Sequence, residues 1–364
     1  MIYLDYSATT PVDKDVLESF LKATKYFANS NSLHSLGRKS KKVIDVATKE
    51  IADILKVQEE EIIYTSGASE SNNLAIKGLS YLKRGKKIIT SHYEHESIYQ
   101  SLEYMKSLGY EILNIKEKDD GTLDLDNLND LMDDDVLLVT ICYVASETGL
   151  INQIEEIKKI VKKYPKALLH VDMTQALGKI PFSLENIDLA SFSAHKIFGL
   201  KGIGILYKKK NLELLPLISG GKSITKYRSG TPPLELIVSL CVAIKKIKAK
   251  EEQNYNYVLQ LANYLRKNLE NIDGVMINSI HNSPYILNIS YLKEKPETIV
   301  HYLESKDIYI STKTACSRGD YSKSVYALTK DQKRAEHSLR ISLAYMTKKE
   351  ELDILINALK SYRI

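Results

Sequence analysis

The sequence predicts an α/β protein: a mostly parallel central sheet with helices on both faces, followed by a smaller α+β unit. Three observations carry this. Short apolar runs bounded by Ser, Thr, Gly or His recur from Ile62 to Tyr207. The runs are continuous where a half-exposed strand would alternate, as strands covered on both faces require. Helical patterns with apolar residues three and four apart lie between many of them, and strand alternating with helix implies parallel crossovers.

Taken in order, strands are expected over 62–65, 87–90, 111–115, 136–144, 167–171, 189–193 and 204–207. A helix over 40–55 follows from Val43, Ile44, Ala47, Ile51, Ile54 and Leu55, and another over 154–161 from Ile154, Ile157, Ile160 and Val161. After Gly230-Thr231-Pro232-Pro233 the pattern changes. One long helical stretch over 234–269, heavily charged on one face, is expected to link two domains. Beyond it come strands over 285–291 and 339–343, a helix over 297–305, a short segment over 308–312 and a final amphipathic helix from 347. The expected division is an N-terminal segment 1–15 packing with the small domain, a large domain 16–255 and a small domain 256–364.

At roughly 150 residues per domain, 364 residues suit two domains. With 44% apolar and 27% charged residues, neither a disordered tail nor a membrane protein is expected. The longest apolar stretch, 236–244, is interrupted by Ser239 and falls short of the roughly 20 residues a spanning helix needs. Met1-Ile2-Tyr3-Leu4-Asp5 has no basic or apolar leader, so no secretory signal is expected, and three cysteines suit a reducing cytoplasm. The net charge of +5, from 51 basic against 46 acidic residues, is spread along the chain and predicts no direct nucleic-acid partner. The lysines at 208–210 and at 245, 246, 248 and 250 read as solvated faces. Gly202-Ile203-Gly204 lacks the third glycine of a dinucleotide loop, and His92 with His95 has no second ligand pair, so neither a nucleotide nor a metal site is expected.

Ligands of such sheets bind at the carboxyl ends of the strands. The strand before Asp172 ends in that acid, with Gln175 close behind; the strand before Ala194 leads to His195-Lys196; the strand at 62–65 leads to Ser66-Gly67-Ala68-Ser69-Glu70 and a helix over 72–78. Singly, Asp172 reads as a helix cap, Lys196 as a loop lysine and the serine-rich turn as a simple cap. Together they point further. A helix N-terminus suits a phosphate, a lysine binds an aldehyde, and a carboxylate keeps a pyridinium protonated. These three groups occur together in pyridoxal 5'-phosphate.

The chain resembles the cysteine desulfurase group of the class V aminotransferases. The matching stretches are Tyr3-Leu4-Asp5 with Ser7 to Pro11, Asn29 to His34, Thr65 to Gly78, Glu147-Thr148-Gly149, His170-Val171-Asp172, Ser191 to Gly204, Arg228 to Thr231, Thr314 to Ser317 and Leu339 to Ser342. The resemblance implies the type I fold of pyridoxal-phosphate enzymes and conversion of L-cysteine to alanine. In it Lys196 is the Schiff-base lysine and removes the α-proton, Asp172 faces the pyridine nitrogen, Gln175 the phenolic oxygen, and His95 stacks on the ring. Ser69, with Ala68 beside it, Ser193 and His195 hold the phosphate, and Thr231 reaches in from the partner of a homodimer. Arg340, with Ser146 nearby, binds the substrate carboxylate. Cys316, flanked by Lys313 and Arg318, attacks the substrate sulfur and carries it as a persulfide to an acceptor protein, an iron–sulfur scaffold or a tRNA-thiolation enzyme. Cys142 and Cys241 read as small core residues.

The chain departs from the group's pattern at Ala145-Ser146 for a pair of asparagines, at Tyr6 for an asparagine, and at Leu200 for a proline. It departs again at Ser311 to Ala315 before the cysteine and at Gly220 to Ser223. Another class V lyase or transaminase, or a degenerate binding or scaffold homologue, would share the fold.

Overall fold

A computed structural model describes residues 1–82, 85–221, 223–312 and 321–362. The first part of the chain contains β1 (Ile2–Tyr3), α1 (Lys14–Ala23), α2 (Ser35–Leu55), β2 (Ile62–Thr65), α3 (Ala68–Lys77), β3 (Lys87–Thr90) and α4 (Glu96–Ser107). Next come β4 (Glu111–Asn114), α5 (Leu125–Leu131), β5 (Val136–Cys142), α6 (Ile154–Val161), β6 (Leu168–Asp172), β7 (Leu189–Ser193) and β8 (Gly204–Lys208). The remainder holds α7 (Leu234–Ala249), α8 (Glu251–Leu269), β9 (Val275–Ile277), β10 (Ile286–Tyr291), α9 (Pro296–Glu304) and β11 (Ile308–Tyr309), then α10 (Lys323–Thr329), α11 (Gln332–Glu336), β12 (Ser338–Ser342) and α12 (Lys349–Ser361).

The main sheet has seven strands in the order β2-β8-β7-β6-β5-β3-β4. The pairs from β4 through β7 are parallel, and β8 alone runs against both its neighbours. Its strands bury side chains on both faces. Ile89, Leu169, Val171, Ala190 and Ile205 join one apolar layer, while their strand neighbours Ile88, Leu168, Leu189 and Leu206 join the other. That division is why the runs are continuously apolar. Among the described residues, no helix is long and apolar enough to cross a membrane.

The expected single helix over 234–269 is two helices. Lys250, at φ −122° and ψ 16°, leaves the helical basin between α7 and α8. Apolar periodicity continues through one residue of changed backbone, so the pattern hides the bend. The C-terminal sheet is antiparallel, with β10 between β12 and β9. The N-terminus belongs to this end of the molecule: β1 pairs in parallel with β11, and Ser342 N donates to Leu4 O at 2.7 Å.

The start of β8 lies close against the turn before α3. A Cβ at Gly204 would stand 2.5 Å from Phe192 O and 2.7 Å from Gly67 Cα, both backbone atoms that cannot swing aside. Gly204→Ala is therefore expected to cost about 1–3 kcal/mol, an overpacking penalty. Urea unfolding measures it, and an unchanged midpoint would contradict this close approach.

Candidate active site

The carboxyl ends of β2, β6 and β7 open on one cavity of about 610 Å³. Lys196, Asp172, Gln175, His95, Ser69, Ala68, Ser193, His195, Ser146 and Arg340 all line it. Thr231 does not; it lines a separate groove with Phe27. Cys316 lies outside the described residues.

One end of the cavity is built for an anion. Gly67, at φ +152°, caps α3 without a side-chain hydrogen bond, in a conformation that only glycine adopts easily. The first-turn N–H groups of α3 thus lack a side-chain cap, and the helix dipole adds positive potential there. Ser193 Oγ is buried and has no hydrogen-bond partner among the described residues. An unpartnered buried hydroxyl is costly unless a ligand completes it. Glu70, in the same turn, is already engaged. It accepts from Ser66 N at 2.7 Å and from Arg228 Nε at 3.1 Å, and these partners hold its carboxyl below the usual range despite the opposing effect of burial.

The other end holds the acid. Asp172 Oδ1 accepts from Thr174 N at 2.9 Å and Oδ2 from Asn72 Nδ2 at 2.9 Å. Beneath it His170 bridges three strands, bonding Thr140 Oγ1 at 2.8 Å and Ser191 Oγ at 2.9 Å. Complete burial lowers the His170 pKa to about 4, so the imidazole is neutral. Glu94, also buried, accepts from Ser91 Oγ at 2.6 Å and Cys142 N at 3.0 Å. Burial first, and then the charge of Asp172, push its pKa up to about 8. At neutral pH Glu94 is therefore mostly protonated and adds little negative charge beside Asp172.

Between the two ends stands Lys196. Its Nζ donates to Ser7 O at 2.6 Å and Ala8 O at 2.7 Å, on the segment following β1. That segment is itself pinned to the lysine loop. Thr10 N donates to His195 O at 2.9 Å, and Phe198 N donates to Thr10 Oγ1 at 2.8 Å. Phe198 holds φ at +63°, a strained value for an aromatic residue. His95 caps α4, its Nδ1 accepting from Ser97 N at 3.1 Å, so the proton of the neutral ring sits on Nε2. Burial lowers its pKa, and that of His195 to about 4, where Lys196 and Lys201 add repulsion.

Arg340 enters from β12. Its guanidinium donates to Ser146 O at 3.0 Å and to Asp5 Oδ1 at 2.9 Å, while Nε is buried without a partner among the described residues. Position 146 thus acts here through its main-chain carbonyl. Tyr6, another departure, lies outside the cavity lining. It stacks edge-on against Tyr3 at 5.0 Å and lies 6.4 Å from Phe198, which stiffens the N-terminal segment. Sequence reasoning passed over Ser7, Ala8, Asn72, Tyr93 and Lys201 as site residues. Most lay inside or beside the matching stretches, but their roles depend on contacts between distant segments.

The phosphate, pyridine and aldehyde features of pyridoxal 5'-phosphate each meet a suitable group in this cavity. The α3 terminus with Ser193 suits the phosphate, Asp172 the ring nitrogen and Lys196 the aldehyde.

Comparison with known proteins agrees with this chemistry. The family model described as aminotransferase class-V matches residues 2–355. A cysteine desulfurase IscS of Buchnera aphidicola subsp. Acyrthosiphon pisum is 38% identical, the match covering 99% of this chain and 91% of that one. Among solved structures, a NifS-like protein matches with a TM-score of 0.93 and 32% identity, covering 99% of this chain and 98% of that chain. The structure of SspA in complex with cysteine matches with a TM-score of 0.82 and 31% identity, covering 94% and 99%.

His170 gives the site a measurable pH dependence. Its pKa is lowered on folding from 6.5 to about 4, so its contribution is complete above pH 6.5 and is lost as pH falls toward 4. The loss is on the order of 3 kcal/mol at about 1.4 kcal/mol per unit. Chemical unfolding at several pH values should show that slope in the wild type and a flatter one in His170→Gln. Parallel slopes would contradict a neutral buried imidazole.

Proposed function

The chain belongs to the aminotransferase class-V family, and from that premise we propose that it is a pyridoxal-phosphate-dependent desulfurase that takes sulfur from L-cysteine. The observation that carries this reading is the convergence of Lys196, Asp172, the α3 terminus and Arg340 on one cavity. When bound, pyridoxal phosphate supplies an electron sink that makes the α-proton of an amino acid acidic.

The chain's own residues do the rest. Lys196 would hold the aldehyde, and its amine, which lines the cavity, would serve as the base for the α-proton. Asp172, fixed by Asn72 and Thr174, would keep the pyridine nitrogen protonated, and Gln175 would serve the phenolic oxygen. Ser193, Ala68, Ser69 and His195 would hold the phosphate. His95, with its Nδ1 accepting from Ser97 N, would support the ring and supply its Nε2 proton to the reacting end. Arg340 binds the substrate carboxylate through its unpartnered Nε. Cys316 then attacks the substrate sulfur. A sulfur–sulfur bond forms, the carbon–sulfur bond breaks, and the carbon skeleton takes up a proton and leaves as alanine.

Thr231 completes the phosphate site of a second copy in a homodimer. Its absence from its own chain's cavity supports this, as does its place in a groove beside Phe27, a phenylalanine left 79% exposed. The sulfur passes from Cys316 to an acceptor protein of iron–sulfur assembly or tRNA thiolation. The segment 1–15 packs with the small domain 256–364, next to the large domain 16–255. The pairing of β1 with β11 supports that grouping.

With cysteine and a reductant, the purified protein should release sulfide and alanine in equal amounts. A keto acid without sulfide would mark a transaminase instead. Lys196→Ala is expected to reduce turnover by at least about 10²–10⁴-fold, and near-normal activity would end the proposal. Cys316→Ser should still change the cofactor's absorbance with cysteine while releasing almost no sulfide; robust release would remove Cys316 from its role.

A further inference from the structure

Lys179 is a buried lysine to which the proposed reaction gives no part. It is 8% exposed and does not line the cavity, and its sole hydrogen-bond partner among the described residues is Gln175 Oε1, at 2.6 Å. It makes no ion pair with a described carboxylate; the charges that reach it are the cations Lys196 and Arg340. Buried lysines without a counter-ion are costly and uncommon in purely structural roles.

The contacts beyond Gln175 give it one. With Oε1 occupied by Lys179, the Gln175 amide must present its N–H₂ on the other side, where Nε2 donates to Ser7 O at 2.9 Å. Ser7 O is also the acceptor of Lys196 Nζ, at 2.6 Å. A continuous path thus runs from Lys179 through the Gln175 amide and the Ser7 carbonyl to the Lys196 amine. We propose that Lys179 is a positioning residue for Lys196: through Gln175 it fixes the carbonyl that holds the Lys196 amine, and its ammonium tunes how tightly that nitrogen keeps a proton. Burial, then repulsion from Lys196 and Arg340, bring the Lys179 pKa down to about 7, so its charge changes within the working pH range. Its proximity also helps to lower the His195 pKa. Asp172 and His95, which line the same cavity as Lys196, are common to every variant below.

This inference rests on the cofactor reading above, and the test separates the two. The visible absorbance of the cofactor-loaded protein is titrated with pH for the wild type, Lys179→Met and Lys179→Arg. Cofactor re-uptake by the apoproteins is timed alongside. Loss of a neighbouring cation lets the Lys196 nitrogen hold its proton more tightly. Lys179→Met is therefore expected to raise the absorbance midpoint by about one pH unit and to slow re-uptake, and Lys179→Arg to restore both. Should Lys179→Met fail to load, Lys179→Gln, which keeps a donor amide without the charge, is read in the same way. An unmoved midpoint in a loaded neutral variant overturns the inference and leaves the desulfurase reading standing. Equal shifts in the neutral and arginine variants also overturn it, because they would report packing alone. A wild type that takes up no cofactor overturns both.

Discussion

The site depends on a strap of main chain, Asp5 to Thr10, that carries the Lys196 amine on two carbonyls. Those carbonyls, of Ser7 and Ala8, approach within 2.7 Å of Nζ. The strap is held at both ends by elements far apart in sequence. Toward the C-terminal sheet, Ser342 N donates to Leu4 O, and Ser7 N donates to Ser342 Oγ at 2.9 Å. Toward the main sheet, Thr10 bonds the loop that bears Lys196. Arg340, on the same strand as Ser342, reaches back to Asp5. One short segment therefore fixes the spacing between Lys196 and Arg340 across the cavity.

Burial sets the electrostatics around that frame. The cationic forms of His170 and His195 are disfavoured, and Glu94 is mostly protonated at neutral pH. Removing these nearby charges leaves Asp172 facing the cavity without a charged competitor from the same three side chains. The anion end is kept apart by geometry, with Gly67 and Gly204 allowing the α3 terminus to lie against β7 and β8.

The layer pattern was legible in the sequence because the central strands of the main sheet are covered on both faces. Leu168 and Leu169 point to opposite cores, and no alternation survives to obscure the strand. The positions of Asp172, at the end of β6, and Lys196, just beyond β7, were legible for the same reason. What could not be read were contacts between segments distant in the chain. Asn72 bonds Asp172 across 100 positions, and Ser7 meets Lys196 across 189. Periodicity carries no signal for such pairs. It was equally blind to Lys250, where one residue's backbone divides the expected long helix. Ser146 is another case: its main-chain carbonyl, which a side-chain pattern does not report, is what Arg340 bonds.

The most direct test of this account is borohydride reduction of the cofactor-loaded protein followed by peptide mapping. The account predicts one pyridoxyl adduct per chain, carried on Lys196. An adduct on Lys179 or Lys201 in its place, or a protein that carries none, would contradict it.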